Sequence, residues 1–319
     1  MLEYFHPWPN SAGFYLARER GWYAAEGLDL EIRVFDPACG DTLAHLLRND
    51  VHFGVFPSNR LLVRHEQAEP LIGIAAINHG GLETIQTLKQ SGITRPRELA
   101  GRRIAMGPTP RGIAMVRHLI AADGGDPGAA IIVDNLGREF NVDDIAAGDF
   151  DATFGGYWAW DALFGSLPAG ERIVWRVDDI GAPRYHSYLL GTQASVIENE
   201  PDLVRRFLSA TALGYLAAVA EPHAALASIE RVIPYFPRAI LRRSLELITT
   251  SWTHEGRWGE QRSALLAPYA AWLHRHGILR SDGGWRQAIT NDFLPAASRA
   301  ANVQWEEHSV ALSLPHGFQ

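Results

Sequence analysis

Residues 102–124 read RRIAMGPTPRGIAMVRHLIAADG, and this stretch decides the fold class. Arg102 to Met106 is a short strand-like run. Gly107-Pro108-Thr109-Pro110-Arg111-Gly112 is a turn-rich loop. The residues after it put Ile113, Val116, Leu119 and Ile120 on one helical face, with a stop near Gly124. A strand, a tight loop and an amphipathic helix in succession form the repeating unit of an α/β sheet.

The alternation continues on both sides. Toward the N-terminus, Glu83 to Leu88 reads as an extended crossover after the interruption His79-Gly80-Gly81. Leu71 to Ile77 and Val51 to Phe56 read as apolar strands. Asp41 is placed to cap a short helix carrying Leu43, Leu46 and Leu47. Leu28 to Phe35 alternates like a strand, and Asn10 to Arg20 reads as a first helix. Toward the C-terminus, Ile131 to Leu136, Asp151 to Gly155 and Arg172 to Val177 are further strands. Gly181-Ala182-Pro183 is a second break, and His186 to Thr192 is strand-like again. The remainder is mostly helical. Pro201 suits a first helical position, followed by Val204, Phe207, Leu208, Thr211 and Tyr215 at helical spacing. Arg238 to Thr249 and Glu260 to His276 are amphipathic helices, the second stopped by Gly277. Two breaks around an α/β block predict an inserted lobe: residues 1–80 plus 187–319 form one lobe and 81–186 the other, with a natural hinge and a ligand cleft between them.

Composition narrows the function classes. The chain has 319 residues, a formal net charge of -7 and no basic run, so nucleic acid is not an expected partner. Its 29 basic residues are 28 Arg and a single Lys, Lys89. The single cysteine, Cys39, excludes an internal disulfide or a thiolate cage and reads as a small turn residue rather than a nucleophile. No apolar stretch reads as a membrane span, and no direct membrane insertion is expected. Met1 is followed by a polar, aromatic segment, Glu3 to Asn10, and not by a charged and then apolar leader. Either a leader precedes the sequence given and the protein works outside the cytoplasm, in the periplasm or at the cell surface, or it stays in the cytoplasm. The 13 histidines show no metal spacing: His65-Glu66 and His254-Glu255 lack a second His. There is no Gly-x-Gly-x-x-Gly fingerprint, no P-loop lysine after Gly107 and no Gly-x-Ser-x-Gly elbow. No catalytic residue, metal or cofactor is expected.

Three segments carry a family resemblance. Trp8-Pro9-Asn10, Gly13-Phe14-Tyr15-Leu16-Ala17-Arg18-Glu19-Arg20-Gly21-Trp22-Tyr23 and Glu26-Gly27-Leu28-Asp29-Leu30-Glu31-Ile32 form the first. Gly92-Ile93 with Pro96, Leu99, Gly101 and Arg102 form the second. Pro183-Arg184-Tyr185-His186 and Glu198 to Leu208, with Gly214-Tyr215 and Pro222, form the third. Together they resemble the ABC-transporter binding proteins for thiamine-pyrimidine precursors and the related pyrimidine synthases. Wider relatives bind riboflavin, sulfonates and nitrate. The resemblance implies an α/β, two-lobed periplasmic-binding-protein fold of type II, each lobe a mixed sheet flanked by helices with the ligand cleft between. Two departures stand out. The His that follows Pro-Asn-Thr-Asn in such relatives is absent, because Pro9-Asn10 runs into Ser11-Ala12-Gly13. The synthases' cysteine-rich motif and cofactor-bearing lysine have no counterpart, since Lys89 falls in the crossover.

Candidate ligand residues follow, each with a plainer alternative. Trp8 can stack on a flat ligand and Asn10 can pair with its edge, or they pack under a strand and cap a helix. Ser58 and Asn59 can cap a helix and point amides into the cleft. Thr109 and Arg111 can serve an anion nest, although turn chemistry also explains that loop. Gly155-Gly156-Tyr157-Trp158-Ala159-Trp160-Asp161 is the richest loop. Tyr157, Trp158 and Trp160 can sandwich a heteroaromatic ring and Asp161 can accept from its amino group, unless Trp158 or Trp160 packs on the next helix. Tyr185 and His186 lie at the second crossing, where the resemblance implies that they face the cleft, and His186 reads otherwise as an ordinary polar strand residue. The expected function is a solute-binding component of an ABC importer, closing by a hinge over a small heteroaromatic nutrient and partnered by a permease if exported. The alternatives are a cytoplasmic pyrimidine-synthase-like enzyme, a binder of a small sulfonate or other anion, and a cytoplasmic ligand sensor.

Overall fold

The computed structural model describes residues 1–34, 36, 38, 40–138 and 140–296. Cys39 lies outside the described residues. The first helix is α1 (Ala12–Glu19), entered through a single 3-10 turn at Pro9–Ser11 and followed by the short α2 (Trp22–Ala25). Asp41 caps α3 (Thr42–Leu47) by accepting from the Ala44 N–H at 2.9 Å. Next come β1 (Gly54–Pro57), α4 (Ser58–Glu66) and β2 (Leu71–Ala76). The chain then leaves for β3 (Glu83–Leu88), β4 (Arg103–Met106), α5 (Pro110–Ala122), β5 (Ile131–Asp134), α6 (Val142–Ala146), β6 (Ala152–Tyr157) and β7 (Arg172–Arg176). It returns through β8 (Tyr188–Gln193) to α7 (Ala194–Asn199), α8 (Pro201–Ala220), α9 (Pro222–Val232) and α10 (Arg238–Ile248). A small hairpin of β9 (Thr253–His254) and β10 (Arg257–Trp258) precedes α11 (Ser263–Arg275).

Two sheets organise these elements. The first has the order β1-β8-β2, with β8 antiparallel to both neighbours. The second has the order β5-β4-β6-β3-β7. Its β4 runs parallel to β5 and β6, while β3 runs antiparallel to β6 and β7. Because β8 inserts between β1 and β2 after the whole second sheet has been made, the chain crosses between the sheets twice, at residues 77–82 and 177–187. This is the two-lobed, type II periplasmic-binding-protein architecture.

Close helix contact builds the first lobe. A Cβ on Gly214 of α8 would sit 2.1 Å from the Gly13 carbonyl oxygen of α1, and a Cβ on Gly13 would meet the Tyr215 ring at 2.4 Å. Small residues at both positions let the backbones touch. Around that contact Phe14, Phe207, Tyr215, Trp252 and Trp258 are fully buried in the core.

Several sequence expectations are corrected. Leu28 to Phe35 is not a strand over its described residues. Only Arg33 bridges, in parallel with Leu2. The alternation there marks an extended, half-buried segment, and alternation does not require a ladder partner. Glu83 to Leu88 is not a bare crossover but a strand hydrogen-bonded on both sides. The 20-residue α8 is by length and composition apolar enough to cross a bilayer, contrary to the expectation that no such stretch exists. Its apolar residues Val204, Phe207, Leu208 and Tyr215 are buried against the first-lobe core, which accounts for the composition.

Candidate functional site

A cavity of about 590 Å³ opens between the sheets. That volume lies within the range of small-molecule pockets. The first lobe contributes Tyr4 and Phe5, then Asn59 and Arg60 at the start of α4, and Ser187 and Tyr188 where the chain enters β8. The second contributes Glu83 at the start of β3, Thr109 and Arg111 at the start of α5, Asn135 after β5, and Phe154 and Tyr157 on β6. Tyr185 comes from the second crossing. Strand ends and helix starts thus meet at the gap.

The polar centre of this wall is Glu83. Its carboxylate accepts from the Arg111 guanidinium and, at 2.5 Å, from the Tyr185 hydroxyl. Arg111 also donates through Nε to the Tyr269 hydroxyl at 3.0 Å, and its cation lies 5.1 Å from the Tyr185 ring centre. Tyr185 in turn stacks on Tyr269, with centroids 4.6 Å apart. Burial works against the Arg111 charge, but the neighbouring Glu83 carboxylate and the Tyr269 and Tyr185 oxygens together outweigh it and hold the guanidinium well above its usual range. The charge pair is therefore internally neutral. Glu83 still has acceptor capacity, because a carboxylate offers about four lone-pair sites and two are taken. Beside it, the Tyr157 and Tyr188 hydroxyls are hydrogen-bonded to each other, and burial raises both phenols well above their ordinary value, keeping them protonated.

The anion-nest reading of the Gly107 loop fares less well. Thr109 accepts from the Gly112 N–H at 3.1 Å and caps α5, and its own N–H donates to the Gly107 carbonyl at 2.8 Å. With Arg111 committed to Glu83 and Tyr269, the loop has few free donors for an anion.

Of the residues singled out from sequence, Asn59, Thr109, Arg111, Tyr157 and Tyr185 line this cavity. Trp8, Trp160 and Asp161 line a second chamber of about 290 Å³ that shares Phe5, Gly155 and Tyr157 with the first. Trp8 stacks on Tyr157 with centroids 5.7 Å apart, so the rings divide the two spaces. Asp161 accepts from the Tyr157 N–H at 2.7 Å.

Four candidates line neither of these two spaces. The Asn10 amide is committed to the interior: it donates to Asn78 Oδ1 at 3.2 Å and accepts from Asn78 Nδ2 and Trp252 Nε1, each at 2.8 Å. Ser58 is buried, its hydroxyl donating to the His186 carbonyl. Trp158 donates from Nε1 to the Gly81 carbonyl at 2.9 Å, with the Arg176 guanidinium 3.9 Å over its ring. His186 is fully buried. Its Nε2 accepts from the Arg262 N–H at 2.9 Å, so Nδ1 carries the proton and donates to the Asn78 carbonyl at 2.9 Å. Burial lowers its pKa to about 4, keeping the ring neutral. These last three are joints of the two crossings rather than faces of the cleft. Glu83, Tyr4, Phe5, Asn135, Ser187 and Tyr188 were missed. The signal for Glu83 was available, since it is the first charged residue after the Gly80-Gly81 break. Lys89, the sole lysine, is exposed just beyond β3 and does not line the cavity, so the residues present do not fit a lysine-bound cofactor there.

Comparison with known proteins agrees with this architecture. A family model described as NMT1/THI5 like matches residues 8–225. The formylaminopyrimidine-binding protein of Halalkalibacterium halodurans is 23% identical over 228 residues, covering 71% of this chain and 67% of that protein. Among solved structures, the alkanesulfonate-binding protein SsuA of Xanthomonas axonopodis pv. citri, bound to MOPS, superposes with a TM-score of 0.67 at 14% identity, over 91% of this chain and 96% of that one. The desulfurization enzyme DSZB superposes with a TM-score of 0.62 at 14% identity, over 92% and 96%. The scaffold is thus shared by binders of different solutes and by an enzyme.

Proposed function

The chain belongs to the NMT1/THI5-like family, and from that premise we propose that it is the solute-binding component of an importer, holding a small neutral aminopyrimidine-like nutrient and leaving it chemically unchanged. The observation that carries the reading is the Glu83 carboxylate, set by Arg111 and Tyr185 at the edge of a cavity walled by Tyr4, Phe5, Phe154 and Tyr188. Rings of this kind grip a flat heterocycle, and a fixed carboxylate accepts from an exocyclic amine. Asn59, Asn135 and Ser187 are available to complete the edge contacts. The internally neutral Arg111–Glu83 pair favours an uncharged ligand over a sulfonate, because an anion would face a carboxylate whose cation is already engaged. The name of the Halalkalibacterium halodurans relative supports the same ligand class.

The binding cycle is a hinge closure. The crossings at 77–82 and 177–187 absorb the rotation, and the closed form is presented to a permease on the outer side of a membrane. A pyrimidine-transforming enzyme is disfavoured by the position of Lys89.

Titration calorimetry with formylaminopyrimidine and with MOPS tests the proposal. Micromolar or tighter binding of the pyrimidine is expected, with MOPS weaker by at least roughly a hundredfold. Glu83→Gln is expected to weaken the pyrimidine by roughly ten- to a hundredfold, a charge-assisted hydrogen bond's worth. Tighter binding of MOPS, turnover of the pyrimidine, or unaltered affinity in the variant would each reject the reading.

A further inference from the structure

The second chamber has a chemistry of its own. Trp8, Tyr157, Trp160, Tyr235 and Phe236 surround about 290 Å³, and Asp161 lies in its wall. The rings form a connected set: Trp160 meets Phe236 edge-on at 4.9 Å and tilts toward Trp8 at 5.9 Å, while Trp8 lies flat on Tyr157. Tyr235 is 71% exposed at the chamber's edge.

Asp161 is the unexplained group. Its carboxylate accepts from the Tyr157 N–H, and no cationic side chain among the described residues pairs with it. An acid held among rings without a cation is costly, and a bound cation would relieve that cost. The ring faces carry the same sign of preference, because the aromatic quadrupole is negative over the face. Two independent features, a lone carboxylate and an aromatic wall, therefore favour the same guest.

We propose that this chamber is a second ligand site, separate from the Glu83 cavity, that binds a small organic cation of the quaternary or methylated ammonium class. Burial raises the Asp161 pKa, and a cation would draw it back down, so occupancy is expected to strengthen as pH rises. His6 also lines the chamber. The site stands apart from the proposed pyrimidine function, since none of the contacts that define it involves Glu83 or Arg111.

Choline and the isosteric neutral alcohol in which carbon replaces nitrogen test the idea by calorimetry on the full chain at about pH 8, where ordinary imidazoles are neutral. Choline is expected to bind at least roughly tenfold more tightly than the alcohol. Asp161→Asn retains an acceptor for the Tyr157 N–H and is expected to weaken choline by roughly tenfold without changing the melting temperature. Trp160→Ala is expected to weaken choline as well. Glu83→Gln is expected to leave choline binding unchanged, which separates this site from the larger cavity. Equal affinity for the two probes, no choline binding in the millimolar range, or loss of choline in Glu83→Gln with retention in Asp161→Asn would overturn the proposal.

Discussion

Replacing Glu3 by Gln is expected to stabilise the protein at alkaline pH and to leave it nearly unchanged in mild acid. Glu3 is 2% exposed beside α1. Burial moves its pKa from the usual 4.5 to about 8, with the Ser11 and Tyr15 hydroxyls and the Arg18 cation offsetting only part of the effect. The sign follows from proton counting. Between about pH 4.5 and 8 the folded protein keeps the Glu3 proton while the unfolded chain has lost it, so stability falls as pH rises through that window and is flat above it. At about 1.4 kcal/mol per pKa unit, a shift of roughly 3.5 units corresponds to about 5 kcal/mol, an upper limit because a buried site relaxes and admits water. Gln keeps the shape and cannot ionise. Other groups titrate nearby: burial lowers His79 to about 3 and His186 to about 4, so their contribution is lost as pH falls below about 6.5. Those terms cancel when the wild type is compared with the variant at each pH. Urea denaturation of both proteins from about pH 5 to 9 should therefore give a stability difference that grows with pH and levels off near 8 at about 2–5 kcal/mol in favour of Gln. A difference that is constant across the range would refute the assignment of a buried, proton-holding Glu3.

Three further outcomes test the packing. Trp158→Ala is expected to cost about 3–5 kcal/mol in chemical denaturation, because the ring is buried with a satisfied N–H at the first crossing, and normal stability in this variant would contradict its placement. Gly214→Ala should lower the melting temperature sharply or abolish soluble expression, since the new Cβ meets the Gly13 carbonyl at 2.1 Å, whereas Gly170→Ala, with open space around it, should leave the melt unchanged. Asn10→Ala should destabilise the fold by about 2–4 kcal/mol by stranding the Trp252 N–H and the Asn78 amide, while the folded fraction keeps its pyrimidine affinity within about twofold. A selective loss of affinity with unaltered stability would return Asn10 to the cleft.

The lesson of the tryptophan loop is specific. Tyr157, Trp158 and Trp160 are adjacent in sequence and chemically alike, yet they have three destinations: the ring between the two chambers, the core, and the second chamber. Sequence marks such a loop as aromatic. It does not say which way each ring points, because the direction depends on the strand register and on what approaches from the other lobe. The histidine and the asparagine show the same thing. His186 and Asn10 read as free polar edges until residues from 68 to 242 positions away supply their partners.

What the sequence by itself determined was local: the strand–loop–helix rhythm, the Asp41 cap, the start of α8 at Pro201 and the two breaks where the chain changes sheets. These depend on side-chain period, backbone restriction and short-range hydrogen bonds, all of which act within a few residues. Tertiary structure alone decided that β8 lies between β1 and β2, that Glu83 is clamped by Arg111 and Tyr185 from 28 and 102 residues away, and that one aromatic loop serves two chambers. Those outcomes depend on which surfaces meet once both lobes have formed, and long-range burial has no signature in a local pattern.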